Sequence, residues 1–391
     1  MIRFENVTKK YKNKTVLSDL SFKIKKGEIV ALIGKSGCGK TTTLKIINRL
    51  IKPTQGKVTI NDQDINEMNL ISLRRSIGYV IQQTGLFPHM TAKENIEIIA
   101  KSEKIDINEI NSRTEYLMDM VNLDQKLLNS YPVELSGGQQ QRVGVARAFS
   151  LDPDIILMDE PFSALDPITR TELQDQLMEI QDKLKKTIVF VTHDMDEAIK
   201  IADKICIMDK GQIVQYDTPE NILKKPNNTF IKEFVGENRI WSSPEYIKAK
   251  DIMIKNPVVI SEELFLNKAV ERMKISKIDY LTVINPQNRK VTGLLTGRKI
   301  LSTDIKNIFS VKVKDFMDKD VITVHYEDSI LDIMKIFDKK NISCIPVIEE
   351  NNILSGIITR GSLISTLSEQ YIMKGEEINI QNDDISDLNI K

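Results

Sequence analysis

The residues of this chain best placed for chemistry are a lysine in a glycine-rich loop and a pair of adjacent carboxylates. Gly34-Lys35-Ser36-Gly37-Cys38-Gly39-Lys40-Thr41 has the spacing G-x-x-x-x-G-K-[ST], follows the apolar run Ile29–Ile33 and precedes a helical pattern that takes in Thr42. Glycines let the backbone curl so that successive N–H groups converge on phosphate oxygens, and the helix beginning near Thr41 adds its positive N-terminal end. Lys40 is placed to reach the β- and γ-phosphates of a nucleoside triphosphate and Thr41 to ligate Mg²⁺. A chance glycine-rich turn is the bland alternative, and the strand–loop–helix context weighs against it.

The run Ile155-Ile-Leu-Met ends in Asp159-Glu160. Carboxylates at the C-terminal edge of a buried strand lie beside a phosphate loop in a parallel sheet. Asp159 is expected to hold Mg²⁺, directly or through water, and Glu160 to polarise the attacking water as general base. Gln82 ends the run Ile77–Ile81, where an amide can touch both the metal and the water. His193 follows the run Thr187–Val191 and can donate to a γ-phosphate and orient Glu160. Taken singly, these are a strand end, a loop glutamine and a structural histidine. Only their company raises them.

The elements behind these residues form a pattern. Short apolar runs alternate with helical periodicity at Thr41–Leu50 and Ile168–Leu184, which reads as a parallel sheet covered by helices. Composition shifts at Gly236–Tyr246, where the single Trp lies, and residues 237–249 read as a linker. Beyond it the chain repeats. Asp251-Ile-Met recurs as Asp315-Phe-Met, Ile278-Asp-Tyr-Leu-Thr-Val as Ile342-Ser-Cys-Ile-Pro-Val, and Gly293-Leu-Leu-Thr as Gly356-Ile-Ile-Thr. Two copies of one supersecondary unit are expected over 250–306 and 313–369, each a strand, a helix, two strands and a helix. Residues 370–391 are polar and mildly acidic and read as a flexible tail.

Composition narrows the classes. Lys plus Arg and Asp plus Glu both total 55 in 391 residues, and this neutral balance argues against nucleic acid as a partner. Cys38, Cys206 and Cys344 are scattered, which suits a reducing compartment and offers no zinc site. The N-terminus MIRFENVTKK lacks the apolar stretch of a signal peptide, and no run approaches a membrane span. A role in transport would need another subunit to form the pore.

Leu135-Ser136-Gly137-Gly138-Gln139 opens a helical stretch, Gln139–Phe149. Together with the phosphate loop, Gln82, Asp159-Glu160, Ser163-Ala-Leu-Asp166 and His193, it resembles a complete ATP-binding-cassette (ABC) ATPase over residues 1–236. The resemblance implies an α/β P-loop NTPase fold: a RecA-like core, an antiparallel β subdomain and a helical subdomain. It implies a head-to-tail dimer in which Ser136 and Gly138 of one copy cap the γ-phosphate held by Lys40 of the other, with Gln139 also among the ATP-binding residues. Asp166 would help couple the two sites, and Tyr11 would stack on adenine. The stretch from Arg75 through Gln82 to Thr91, with Glu94-Asn-Ile, is similar to bacterial importers, where it receives a coupling helix of the membrane permease. The branch most resembled imports quaternary-amine osmoprotectants: glycine betaine, carnitine or choline. An extracytoplasmic solute-binding protein and a place on the cytoplasmic face of the membrane follow from it. A soluble ABC ATPase acting on DNA or ribosomes usually adds a second cassette, a coiled coil or a basic arm, and none is visible. A nucleotide-binding regulator without turnover would not need Glu160 and His193.

The repeat resembles a tandem CBS module, which often binds adenine nucleotides between its copies. Lys299 and Ser362 stand where the usual ribose-binding Asp would be. Arg298 and Arg360, beside Thr296 and Thr359, suit phosphates, and Tyr280, opposite Cys344, could stack on a base. Tyr280, Thr282, Cys344, Ile357, Thr359 and Arg360 form the candidate regulatory nucleotide site, and inhibition by cyclic di-AMP is the expectation. Sensing of ionic strength at an anionic membrane is the alternative.

Overall fold

A computed structural model of the chain describes residues 1–12, 14–82, 85–236, 239–302, 309–340 and 342–365. The tail expected over 370–391 lies outside these residues. The chain divides into two units, Met1–Gly236 and Glu237–Lys391.

The first unit runs β1 (Ile2–Tyr11), β2 (Lys14–Ile24), β3 (Ile29–Gly34), α1 (Lys40–Ile47), β4 (Gln55–Ile60), β5 (Gln63–Asp64), α2 (Leu70–Arg75), β6 (Ile77–Val80), α3 (Ala92–Ser102), α4 (Ile107–Met120), α5 (Gly137–Ala148), β7 (Ile155–Asp159), α6 (Pro167–Leu184), β8 (Thr187–Val191), α7 (Met195–Ile201), β9 (Lys204–Asp209), β10 (Gln212–Asp217), α8 (Pro219–Lys224) and α9 (Thr229–Val235). One sheet has the order β10-β9-β3-β8-β7-β6. It is parallel from β9 to β6, with β10 antiparallel at its edge. Every residue of β3, β7 and β8 is buried, which explains their unbroken apolar runs: both faces are covered. A second sheet, β2-β1-β4-β5, is antiparallel, and its strands alternate in burial more than the central ones do. Phe4, Leu17, Leu20 and Ile24 from this sheet share a core with Val30, Leu32, Leu44 and Leu157. Each such fully buried side chain contributes roughly 1.5–3 kcal/mol relative to exposure.

Helices α3, α4 and α5 pack against one another. Arg142 of α5 ties them to α6: its guanidinium donates to the Val121 carbonyl at 2.8 Å, Gln176 Oε1 at 2.6 Å and Glu172 Oε2 at 3.0 Å. At the other end of α5, a Cβ on Gly78 of β6 would lie 2.2 Å from the Ala148 carbonyl oxygen. Only glycine permits that approach.

The second unit runs α10 (Ala249–Ile252), β11 (Ile254–Lys255), β12 (Val259–Ser261), α11 (Leu266–Ser276), β13 (Tyr280–Ile284), β14 (Val291–Thr296), α12 (Gly297–Ser302), α13 (Val313–Phe316), β15 (Val324–His325), α14 (Ile330–Lys340), β16 (Cys344–Ile348) and β17 (Leu354–Thr359). Its sheets are β12-β13-β14 and β11-β17-β16-β15. The two repeats exchange their leading segments. Ile247, Ala249 and Ile252 are buried in the core of the second repeat, with Ile333, Phe337 and Ile345. Val313, with Phe316 and Met317 beside it, packs into the core of the first, against Leu266, Leu281 and Leu295. Within the stretch 237–249, Ile247 and Ala249 are core positions. Ile252, near the start of the block 250–306, packs with the second repeat. The recurrent Asp-x-Met and Gly-x-x-Thr now have a reason: a Cβ on Gly356 would lie 2.6 Å from Met253 Sδ, and one on Gly293 would lie 2.3 Å from Met317 Sδ.

Candidate nucleotide site

The phosphate loop joins β3 to α1. Gly39 caps α1 at φ 108°, and a Cβ there would lie 2.4 Å from Leu17 Cδ2, so both backbone and space require glycine. Lys40 is buried, and its ammonium donates to the carbonyls of Gly34 at 2.7 Å and Lys35 at 3.3 Å. The loop borders a cleft of about 510 Å³ lined by Val16, Ser36, Gly37, Gly39, Lys40, Thr41, Thr42, Gln82, Glu160 and His193.

Parallel pairing of β7 with β8, and of β8 with β3, carries Asp159-Glu160 to the same edge as the loop. Thr41 Oγ1 donates to Asp159 Oδ1 at 2.8 Å. Burial pushes the Asp159 carboxyl up, the Thr41 hydrogen bond pulls it down, and the neighbouring Glu160 charge adds to the upward push. A carboxylate made costly by burial and faced by a hydroxyl suits a hard cation. The oxygen donors Thr41, Asp159 and the Gln82 amide fit Mg²⁺, which takes few protein ligands and completes its shell with phosphate and water.

Glu160 has φ 48°, the left-handed region that a non-glycine side chain seldom adopts. Its N–H donates to the Val191 carbonyl at 3.0 Å, which fixes that backbone. Its side chain is thereby turned toward the cleft: Gln82 Nε2 donates to Glu160 Oε2 at 3.0 Å, and His193 Nδ1 lies 3.6 Å from the same oxygen. The His193 side chain is 66% exposed, open to a ligand. Gln82, Glu160 and His193, distant in sequence, thus converge on one oxygen.

Other expected residues are placed elsewhere. Tyr11 is exposed at the end of β1 with the Lys9 ammonium 4.6 Å from its ring centroid, and it does not line the cleft. Ser136 caps α5, accepting from Gln139 N–H at 3.3 Å, while Gln139 Oε1 accepts from Ser136 N–H at 2.9 Å. Asp166 caps α6, accepting from the N–H groups of Ile168 and Thr169 at 3.1 Å. The Thr169 hydrogen bonds hold its carboxyl below the usual range. Neither cap borders the cleft of its own chain. A Cβ on Gly138 would lie 2.5 Å from Thr169 Cγ2, whereas one on Gly137 would meet nothing within 4 Å. Gly138 is therefore explained by packing, and Gly137 leaves an open approach to the N-terminus of α5.

Asn95 was not singled out from the sequence. It is fully buried, accepts from Phe87 N–H at 2.8 Å and donates to the carbonyls of Phe87, Met90 and Thr91 at 3.0–3.2 Å. It holds the stretch Phe87–Thr91 against α3. Glu94-Asn-Ile was the available signal, but the pattern did not assign Asn95 its role. Val16, on the cleft wall, left no signal.

In the second unit, Tyr280 and Cys344, from different repeats, are electrostatic neighbours. Burial and the Asp279 charge push the Cys344 thiol up to about 12. Thr282 is fully buried and its hydroxyl has no hydrogen-bond partner among the described residues, while Ile357 is buried in β17. The Arg360 guanidinium donates to the Phe337 carbonyl at 2.6 Å. Ser362 Oγ accepts from Thr359 N–H at 3.0 Å, and Thr359 Oγ1 accepts from Ser362 N–H at 2.9 Å. Lys299 pairs with Asp318 at 2.6 Å.

Residues 17–163 match the ABC transporter family, and residues 249–305 and 313–369 each match the CBS domain. The carnitine transport ATP-binding protein OpuCA of Listeria monocytogenes is 48% identical over 93% of this chain and 91% of its own. The glycine betaine/carnitine/choline transport ATP-binding protein OpuCA of Bacillus subtilis is 44% identical over 93% of this chain and 95% of its own. This chain belongs to the ATP-binding subunits of ABC-type quaternary-amine importers. Such a subunit is an ATP hydrolase coupled to transport, and its fold is the ABC cassette followed by a tandem CBS pair. Among solved structures, a dimeric post-hydrolysis cassette, MJ0796 bound to ADP and Pi, is 36% identical, with a TM-score of 0.52 over 56% of this chain and 99% of that one. Among the described residues, no helix is long and apolar enough to cross a membrane.

Proposed function

We propose that this ATPase energises import of glycine betaine, carnitine or choline through a membrane permease, on the cytoplasmic side of the membrane. The observation that carries the motor is the convergence of Gln82 and His193 on Glu160 Oε2, beside the Lys40 loop. Lys40 holds the β- and γ-phosphates, exchanging its loop carbonyls for phosphate oxygens. Thr41, Gln82 and Asp159 would hold Mg²⁺, which would neutralise charge on the β- and γ-oxygens. Glu160 accepts the proton of the attacking water, while the Gln82 amide and His193 fix the carboxylate. The substrate assignment rests on the relatives, whose names specify carnitine, choline and glycine betaine.

The site is half of a whole. Ser136 and the open approach at Gly137 support a second copy whose Lys40-bound γ-phosphate docks on α5, and the similar MJ0796 cassette is itself dimeric. The segment ordered by Asn95 is the surface offered to the permease, and an extracytoplasmic binding protein delivers the solute. Tyr11 reaches adenine only if its ring leaves Lys9. The tandem CBS pair is read as a brake that binds cyclic di-AMP. The adjacency of Tyr280 and Cys344 and the unpartnered Thr282 hydroxyl support that reading. Arg360, bonded to Phe337, would have to turn.

Uptake of labelled carnitine, choline and glycine betaine, in cells stripped of their own importers and supplied with this subunit, its permease and its solute-binding protein, tests the first reading. Energised accumulation of at least one solute supports it, and none contradicts it. Calorimetry of the full-length chain with cyclic di-AMP tests the second, and absence of heat at micromolar ligand contradicts it.

A further inference from the structure

Helix α9 is the last of the first unit, and the chain leaves that unit at Gly236. Asn228 caps α9 by accepting from Ile231 N–H at 2.9 Å, and Ile231 and Val235 are buried, so the helix is fixed on the cassette. Phe230 and Phe234 stack with centroids 5.8 Å apart and planes 14° from parallel. The Lys35 ammonium lies 5.4 Å from the centroid of the Phe230 ring.

Lys35 belongs to the phosphate loop. Its carbonyl accepts from the Lys40 ammonium at 3.3 Å and from Cys38 N–H at 3.2 Å. A run of contacts therefore leads from α9 to the lysine that holds the nucleotide: Phe230 ring, Lys35 side chain, Lys35 carbonyl, Lys40. We infer that Phe230 is a positioning residue for ATP binding, acting through Lys35. A cation over an aromatic face at an exposed site is attracted weakly, enough to change an affinity about two- to fivefold. Leu at the same place keeps apolar contact with Phe234 and loses the ring quadrupole. Restraint on α9 thus acts on the loop, although α9 contributes no atom to the cleft lining.

The inference rests on residues 34–41 being the phosphate loop. Failure of that premise shows as no ATP hydrolysis by the unaltered chain. The test is a double-substitution cycle read as KM and kcat for ATP hydrolysis by the full-length protein. Phe230→Leu and Lys35→Met each raise KM about two- to fivefold, the double variant is no worse than either, and kcat stays unchanged in Phe230→Leu. Phe230→Tyr keeps the original KM. An unchanged KM in Phe230→Leu, or effects that multiply in the double variant, overturns the inference. Multiplication would mean that Lys35 meets the phosphates independently of the ring. Should Phe230→Leu fail to fold, Phe230→Trp replaces it: KM falls with Lys35 present and not in the Lys35→Met background. An equal change in both backgrounds overturns the inference.

Discussion

Glu160→Gln isolates the proton-transfer role from binding. The substitution conserves shape. Glu160 Oε2 accepts from Gln82 Nε2 at 3.0 Å, and a glutamine can offer its amide oxygen to the same donor. Its nitrogen then occupies the other oxygen's place and cannot take a proton. The Lys40 ammonium and the Thr41–Asp159 pair keep their partners, because their hydrogen bonds go to the loop carbonyls and to each other. A positioned general base is worth roughly 10²–10⁴ in rate, or about 2.7–5.4 kcal/mol of barrier. Phosphate release by the full-length chain should therefore fall at least about 100-fold, while ATP affinity stays near that of the unaltered protein. Size-exclusion chromatography with ATP should show a dimer that outlives that of the unaltered chain, because the sandwich closes and cannot discharge. A kcat within about tenfold of the original would refute the reasoning. So would a parallel loss of ATP binding, which would make Glu160 a structural residue.

Asn95→Ala removes four hydrogen bonds inside the segment after Gln82 and leaves Phe87 N–H without its acceptor. The expected loss is about 2–3 kcal/mol, read as a lower urea midpoint, and an unchanged midpoint contradicts it. Asp159→Asn should stabilise the ligand-free protein, because the raised folded pKa means that the ionised carboxylate opposes folding at neutral pH. The same variant should lose the rise in Tm on adding Mg²⁺ and ATP, and a retained rise would remove Asp159 from the metal site. Glu327 is held down to about 2 by Lys248 and Lys250. Its stabilising contribution is present above the unfolded pKa, near 4.5, and is lost as pH falls through the folded value. The acid-denaturation curve of Glu327→Gln should therefore lie below the original at neutral pH and merge with it near pH 2, and parallel curves would refute the pairing. Gly293→Ala places a Cβ 2.3 Å from Met317 Sδ and should cost about 1–3 kcal/mol of second-unit stability, with no change predicted if the leading segments were not exchanged.

The phosphate loop was legible because its chemistry is local: eight consecutive residues carry the glycines, the lysine and the hydroxyl. The central strands were legible because a sheet buried on both faces must be apolar throughout. Contacts made over long separations were harder to read. That Gln82 and Glu160 share a hydrogen bond depends on β6, β7 and β8 lying side by side, and Glu160's positive φ has no sequence mark. In the second unit, periodicity showed two repeats but not which core each leading segment enters. Both segments begin with similar residues, so either docking satisfies the same pattern. Arg360 reads as a phosphate clamp by type and position, and the sequence carries no mark of its hydrogen bond to the Phe337 carbonyl near the end of α14. Tyr11 was placed by resemblance alone, and the Lys9 ammonium lies 4.6 Å from its ring centroid.

The central claim is that hydrolysis at Glu160 drives quaternary-amine import. Proteoliposomes holding the assembled transporter, with ATP enclosed on the side of this subunit and labelled carnitine, choline or glycine betaine outside, test it in one measurement. Accumulation against a gradient is expected with the unaltered chain and none with Glu160→Gln. Equal accumulation by both, or hydrolysis by the unaltered chain with no uptake of any of the three solutes, would contradict it.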